Sequence, residues 1–195
     1  MDASRVETFD IFATRFWVFD LIALKAHFAP WRERVDEMRR AAPRAGGRSN
    51  RRGWNSDATV FADPLFAPLE QQCREACAFV FHQMRAPGSP SIVLEAWVNL
   101  HEQGAYNREH IHGGALLSAC FYLTVPKGSG ALVFNDTRIG ATLSPFEGHE
   151  INSAHSISVE PSVGRLVVFP NWLSHFVEPH EGPEPRVAIC MNARV

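Results

Sequence analysis

The segment NREHIHGGALLSACFYL (residues 107–123) joins a pair of histidines to an apolar run that is typical of a buried strand. His110 and His112 stand two positions apart in this segment. Alternate residues of an extended strand point to the same face of a sheet, so both imidazoles are expected to project in one direction. Imidazole is the commonest metal ligand of proteins, and the pair therefore indicates a metal site at the edge of a sheet.

The rest of the chain divides into a helical part and a β part. Residues 1–90 contain two amphipathic patterns, whose apolar positions are Leu24, Phe28, Trp31, Val35 and Met38, and then Leu69, Cys73, Ala76, Val80 and Met84. Pro30 is expected to kink or restart the first helix. The intervening RRAAPRAGGRSNRRGWNS is expected to be a loop.

Residues 91–195 contain short β-branched and aromatic runs separated by glycine, proline and asparagine. These runs are SIVLEAWVNL, ALLSACFYLTV, GALVFN, GRLVVFP and RVAICMN. Many short strands with frequent turns predict an antiparallel sandwich or barrel. We expect one α+β domain over residues 1–195, in which residues 1–90 supply mainly helical support and residues 91–195 form the β core.

The composition excludes several classes of function. The chain has 195 residues, 46% of them hydrophobic, and a net charge of −2, which gives no reason to expect nucleic acid as a partner. No apolar run reaches the length of a membrane span, and the N-terminus lacks the apolar core of a signal peptide. None of the four cysteines forms a C-x-x-C pair. A cytoplasmic protein with reduced thiols and no membrane contact is expected.

Two further segments add polar residues to the predicted metal site. FPNWLSHFVEP contains His175, and RVAICMN begins with Arg186. In the second segment Arg186 shares one strand face with Ala188 and Cys190, whereas the other face is wholly apolar. A buried guanidinium requires a carboxylate partner, which a ligand can supply where the protein does not.

From Trp97 to Asn192 the chain resembles the iron(II)- and 2-oxoglutarate-dependent oxygenases, and among them a bacterial and phage family of this class. The resemblance rests on WVNLHEQGAYNREHIH, SACFYLTVPKGSGALVFNDTR, VVFPNWLSHFVEP and RVAICMN in this order, with SNRRGWNS (residues 49–56) upstream. Each segment alone is a weak signal, and their combination is specific. The resemblance implies a double-stranded β-helix (a jelly roll, cupin-like) flanked by N-terminal helices.

The resemblance also implies roles for individual residues. His110 and His175 match the first and the distal iron ligand, Arg186 matches the residue that binds the far carboxylate of 2-oxoglutarate, and Tyr122 matches a residue that adds a hydrogen bond. The usual aspartate position of the first motif is occupied by His112. A site of three histidines is therefore expected, and Asp136 remains open as the alternative third ligand.

The expected function is that of a dioxygenase which uses iron(II), 2-oxoglutarate and dioxygen to hydroxylate, or otherwise oxidise, an unactivated C–H bond. The substrate is expected to be a small molecule or a peptide, and the sequence does not identify it. Two alternatives are a zinc enzyme of hydration or hydrolysis and a non-catalytic jelly-roll module that binds a small acid. Phe121, Phe134 and Trp172 are expected to form a dry shell around the site or the core beside it. Asn99 and Asn107 flank the site in sequence and could orient its ligands, but turn chemistry is favoured for Asn107. The sequence assigns no role to His101.

Overall fold

Two antiparallel sheets form the body of the computed structural model, which describes residue 7 and residues 12–43, 49–85, 91–138, 140 and 155–194. The strands are β1 (Trp17–Asp20), β2 (Asn50–Arg51), β3 (Trp54–Asn55), β4 (Val93–His101), β5 (Tyr106–His110), β6 (Leu117–Thr124), β7 (Leu132–Asn135), β8 (Ser156–Val159), β9 (Arg165–Pro170), β10 (His175–Val177) and β11 (Arg186–Arg194). One sheet has the strand order β1-β9-β6-β11-β4-β3 and the other has the order β2-β5-β10-β7-β8.

The centre of the larger sheet is formed by β11 between β4 and β6. The pairing of β11 with β4 runs from Arg186 opposite His101 to Arg194 opposite Val93. Alternate residues of these strands face the helices or the smaller sheet, so the apolar face of RVAICMN packs under the helices. The face that begins with Arg186 points into the space between the two sheets.

Two helices cover the outer face of the larger sheet. Helix α1 spans Lys25–Ala41 and helix α2 spans Ala67–Gln83, as the apolar spacing predicts. Helix α1 continues through Pro30 without a break, so a fresh start at this proline is wrong. The side chains of Phe28 and Trp31 lie on either side of the proline and share one buried core, which keeps both halves of the helix on the sheet.

The predicted arginine-rich loop is wrong in part, because its ends have regular structure. Arg39–Ala41 complete helix α1, and β2 and β3 lie near its other end. The two strands belong to different sheets: β2 pairs with β5, and β3 pairs with β4. Residues 44–48 of this segment lie outside the described residues. The N-terminal part of the chain thus supplies strands to both sheets as well as the helices.

The turn between β2 and β3 is closed by side-chain contacts. The Asn50 amide donates a hydrogen bond to the carbonyl oxygen of Trp54, at 3.4 Å, and the Trp54 indole donates to the carbonyl oxygen of Ala42, at 2.7 Å. A Cβ at Gly53 would lie 2.5 Å from Asn50 Oδ1 and 2.7 Å from the carbonyl oxygen of Leu100. Only glycine therefore fits this turn without displacing its neighbours. Within the described residues, neither helix is long and apolar enough to cross a membrane.

Candidate active site

Three histidines meet at one end of the space between the sheets. His110 ends β5 and His175 begins β10, and the two residues are direct partners in the strand pairing. His112 follows β5, and a ligand atom from each of the three side chains lies within 4.8 Å of the other two. The ring centroids of His110 and His175 are 4.3 Å apart. The structure thus brings together all three histidines that the sequence suggests as metal ligands.

Backbone carbonyl groups orient two of these imidazoles. His110 Nδ1 lies 2.7 Å from the carbonyl oxygen of Arg108, and His175 Nδ1 lies 2.8 Å from that of Leu173. Because a carbonyl oxygen only accepts hydrogen bonds, each Nδ1 carries the proton and donates it. In a neutral ring Nε2 then keeps its lone pair, which is the form that binds a metal ion.

His112 is held in place through the turn that precedes β10. Its backbone N–H donates to the carbonyl oxygen of Asn171 at 3.0 Å, and the Asn171 amide donates back to the His112 carbonyl oxygen at 2.6 Å. The His112 ring lies nearly parallel to that of His175, at a centroid distance of 5.2 Å and an angle of 5°. Trp97 stacks near the same ring at 5.8 Å.

Burial keeps protons away from the cluster. Burial, and then the proximity of His110, lower the pKa of His175 to about 3, and burial lowers the pKa of His110. Neutral imidazoles are therefore available to a metal at physiological pH, whereas protonated ones would repel it. Three imidazoles bring no negative charge, so an anionic ligand is needed to compensate a divalent ion.

The alternative carboxylate, Asp136, does not join the three histidines in the described part of the chain. Its side chain forms an ion pair with Arg138 at 2.6 Å. Its other oxygen accepts a hydrogen bond from the Arg138 backbone at 2.9 Å. Both carboxylate oxygens are thus engaged by a residue two positions further along the chain, which favours His112 over Asp136 as the third ligand.

Arg186 and Tyr122 lie in the interior with unsatisfied polar atoms. Arg186 is 1% exposed and Tyr122 is fully buried. The guanidinium carbon lies 5.2 Å from the centre of the Tyr122 ring. Nε and Nη2 of Arg186 and the hydroxyl of Tyr122 have no hydrogen-bond partner among the described residues. A buried guanidinium with two free donors, beside a free hydroxyl, fits a carboxylate, which accepts such donors in pairs.

Aromatic side chains close one wall of the site. The Phe169 ring lies 4.7 Å from that of His175, and the Phe134 ring lies 6.3 Å from it. Phe121 packs in the core under the helices instead. Trp172 is 49% exposed, so its predicted place in a dry shell or core is wrong. Its position in the turn after β9 directs the indole toward solvent.

A polar wall formed by Ser49, Asn107 and His101 also borders the site, and sequence reasoning gave no role to Ser49 or His101. The Asn107 amide donates to Ser49 Oγ at 2.9 Å, and this hydroxyl lies 3.3 Å from His110 Nε2. Asn107 is 4% exposed and contacts the site, so turn chemistry is not its role. His101 is fully buried opposite Arg186. Its alternation with Asn99 along β4 is the sequence signal that both face inward.

Comparison with known proteins identifies the class. Residues 95–192, half of the chain, match a family described as "Putative 2OG-Fe(II) oxygenase". The chain belongs to this family, whose members are iron(II)- and 2-oxoglutarate-dependent oxygenases. The predicted enzyme class and the predicted cofactors, iron(II) and 2-oxoglutarate, are thereby confirmed. A search of the curated proteins found no match.

Solved structures share the fold at low sequence identity. A prolyl-4-hydroxylase from Pseudomonas putida has 15% identity, covers 93% of this chain and 92% of its own, and gives a TM-score of 0.65. HygX from Streptomyces hygroscopicus, with nickel, 2-oxoglutarate and hygromycin B bound, has 12% identity, coverages of 93% and 83%, and a TM-score of 0.62. A prolyl hydroxylase from Trichoplax adhaerens in complex with a peptide has 12% identity, coverages of 92% and 83%, and a TM-score of 0.58. The predicted double-stranded β-helix is confirmed.

Proposed function

We propose that this oxygenase binds iron(II) through His110, His112 and His175 and binds 2-oxoglutarate through Arg186 and Tyr122. The observation that carries the proposal is that the three histidines and the Arg186–Tyr122 pair both face the space between the two sheets. Tyr122 belongs to the same buried cluster as Phe134 and Phe169, whose rings pack against His175. The side chains that would hold the metal and the buried guanidinium beside Tyr122 thus face the same space between the sheets.

When bound, iron(II) would activate dioxygen, the oxidant of the reaction, which takes two electrons from 2-oxoglutarate as it becomes succinate and carbon dioxide and two from a substrate C–H bond. The protein positions the cosubstrate and excludes water from the site. Arg186 offers the planar pair of donors that a carboxylate matches and that lysine cannot reproduce. Phe134 and Phe169 exclude water from one side of the triad. His110, His112 and His175 would hold the metal as three protein ligands, a number that would leave coordination positions free.

The substrate is a small molecule or a peptide under this proposal. Hygromycin B is bound in HygX, and a peptide is bound in the Trichoplax enzyme, so this fold accommodates both kinds of ligand. We also infer a cytoplasmic location. It is supported by the four cysteines, all of which are free thiols.

The metal assignment is tested by anaerobic titration of metal-free protein with iron(II). We expect one equivalent of iron to bind the parent protein, and we expect His175→Ala to abolish this binding because it removes one of three ligands. His82→Ala is the matched control, since His82 is exposed on helix α2 and does not belong to the histidine cluster. Undiminished iron affinity in His175→Ala would contradict the assigned triad.

The reaction class is tested by the products. Iron-loaded protein supplied with 2-oxoglutarate and dioxygen should form succinate, and the anaerobic complex should show a metal-to-ligand absorption band. Zinc in protein purified anaerobically, together with the absence of this band, would instead support the hydration or hydrolysis enzyme. Binding of 2-oxoglutarate without any succinate would support the non-catalytic module.

A further inference from the structure

His101 is a fully buried histidine, and neither ring nitrogen has a partner in full hydrogen-bond geometry among the described residues. The Asn107 side chain lies close enough to act as a hydrogen-bond acceptor toward it, which opposes the fall in the pKa of His101. A buried polar group that lacks a partner destabilises the fold, so such groups are rare unless a ligand or water satisfies them. His180 offers a contrast within the same chain. It is equally buried, yet both of its nitrogens lie within 3.1 Å of backbone carbonyl oxygens.

The position of His101 connects it to the anchor of the cosubstrate. His101 ends β4 and is the direct partner of Arg186, which begins β11. Directly paired residues of antiparallel strands project to the same face of the sheet, so the imidazole stands beside the guanidinium in the space between the sheets. Burial, and then the charge of Arg186, lower the pKa of His101 to about 3. The ring is therefore neutral and carries one N–H donor and one acceptor nitrogen.

The unsatisfied polar atoms around Arg186 have an excess of donors. The free donors are the guanidinium N–H groups of Arg186, the hydroxyl of Tyr122 and the N–H of His101. The acceptors are the second nitrogen of His101 and Oδ1 of Asn107, and the latter competes with a ligand for the N–H of His101. A carboxylate is acceptor-only and has about four lone-pair sites, so it can satisfy donors that the protein leaves over.

We propose that His101 is a further cosubstrate-binding residue, which donates a hydrogen bond to the far carboxylate of 2-oxoglutarate beside Arg186 and Tyr122. This inference rests on the proposed function and deepens it, since it assigns a specificity role to a residue on β4. A third donor at the far carboxylate makes the site selective for a 2-oxo diacid over a 2-oxo monoacid of equal length.

The test compares two ligands and two variants. 2-Oxoglutarate and 2-oxopentanoate have the same carbon chain, but 2-oxopentanoate has a methyl group in place of the far carboxylate. His101→Leu removes both ring nitrogens, whereas His101→Gln keeps one donor group and one acceptor. Dissociation constants are measured anaerobically on iron-loaded protein by calorimetry and by the metal-to-ligand absorption band.

We expect His101→Leu to raise the dissociation constant for 2-oxoglutarate by about tenfold and to leave that for 2-oxopentanoate within about twofold. His101→Gln should restore most of the lost affinity, and the affinity for iron should not change in either variant. Equal loss of affinity for both acids would show a purely structural role and overturn the inference, and so would unchanged binding of both acids.

The same experiment separates this inference from the proposed function. If the parent protein binds 2-oxoglutarate, and Arg186→Ala loses that binding while His101→Leu does not, the proposed function stands and the role of His101 is wrong. If the parent protein binds no 2-oxoglutarate, the proposed function fails, and the role of His101 fails with it.

Discussion

Replacement of Arg186 by methionine should stabilise the ligand-free protein while it weakens cosubstrate binding. Arg186 is 1% exposed, and two of its nitrogens have no hydrogen-bond partner in the described structure. Methionine has a flexible apolar side chain that can fill much of the same volume without a charge. The substitution therefore removes a buried and uncompensated cation but leaves no large cavity.

The magnitude follows from two opposing contributions. Each unsatisfied buried donor destabilises the fold by about 1–3 kcal/mol, and both are removed. The contact with the Tyr122 ring, at 5.2 Å, is lost as well and contributes about 2 kcal/mol when desolvated. We expect a net rise of about 2 kcal/mol in the free energy of unfolding. 2-Oxoglutarate should bind the variant at least about tenfold more weakly, which corresponds to ~1.4 kcal/mol.

Urea denaturation of metal-free parent and Arg186→Met protein measures the change in the free energy of unfolding. The loss of cosubstrate affinity is measured on iron-loaded protein in 2-oxoglutarate at a hundred times the parent dissociation constant. This ligand should stabilise the parent by about 2.7 kcal/mol and the variant by at most about 1.4 kcal/mol. A ligand-free variant that is less stable than the parent by more than about 1 kcal/mol would refute the reasoning, because Arg186 would then be satisfied within the protein.

Three further predictions concern the metal site, pH and the turn. His112→Ala should lose iron(II), and Asp136→Ala should keep it, when both are titrated anaerobically; the reverse result would make Asp136 the third ligand. His101 and His175 have pKa values of about 3 in the fold, against an ordinary value of 6.5. The unfolded chain therefore binds more protons below pH 6.5, and each histidine should reduce the stability of metal-free protein by about 1.4 kcal/mol between pH 7.5 and 5.5 in urea denaturation. A stability that stays constant over this range would contradict the burial of neutral rings. Gly53→Ala should destabilise the protein by about 1–3 kcal/mol, because the added Cβ would lie 2.7 Å from a backbone carbonyl oxygen; an unchanged denaturation midpoint would show that the turn can shift.

The spacing of residues in the sequence was enough to predict the two helices and several residues of the candidate active site. The apolar positions predicted both helices, and alternation along RVAICMN predicted that Arg186 points inward, because helix and strand periods are properties of neighbouring residues. The order of the motifs indicated the oxygenase class. Pro30 shows the limit of this reasoning, since the core shared by Phe28 and Trp31 overrides the local preference for a break.

Strand pairing alone decided which distant residues meet. The register of β4 with β11 sets His101 beside Arg186, and the β2–β5 pair brings Ser49 to His110. Asp136 pairs with Arg138 and does not join the histidines in the described part of the chain, an arrangement that its position after β7 does not reveal. Register depends on the joint burial of residues far apart in the chain and is not encoded in local periodicity. The sequence by itself therefore determined that His110, His112 and His175 are candidate metal ligands and that Arg186 faces the interior. The tertiary structure decided which polar residues, Ser49, Asn107 and His101, lie beside them.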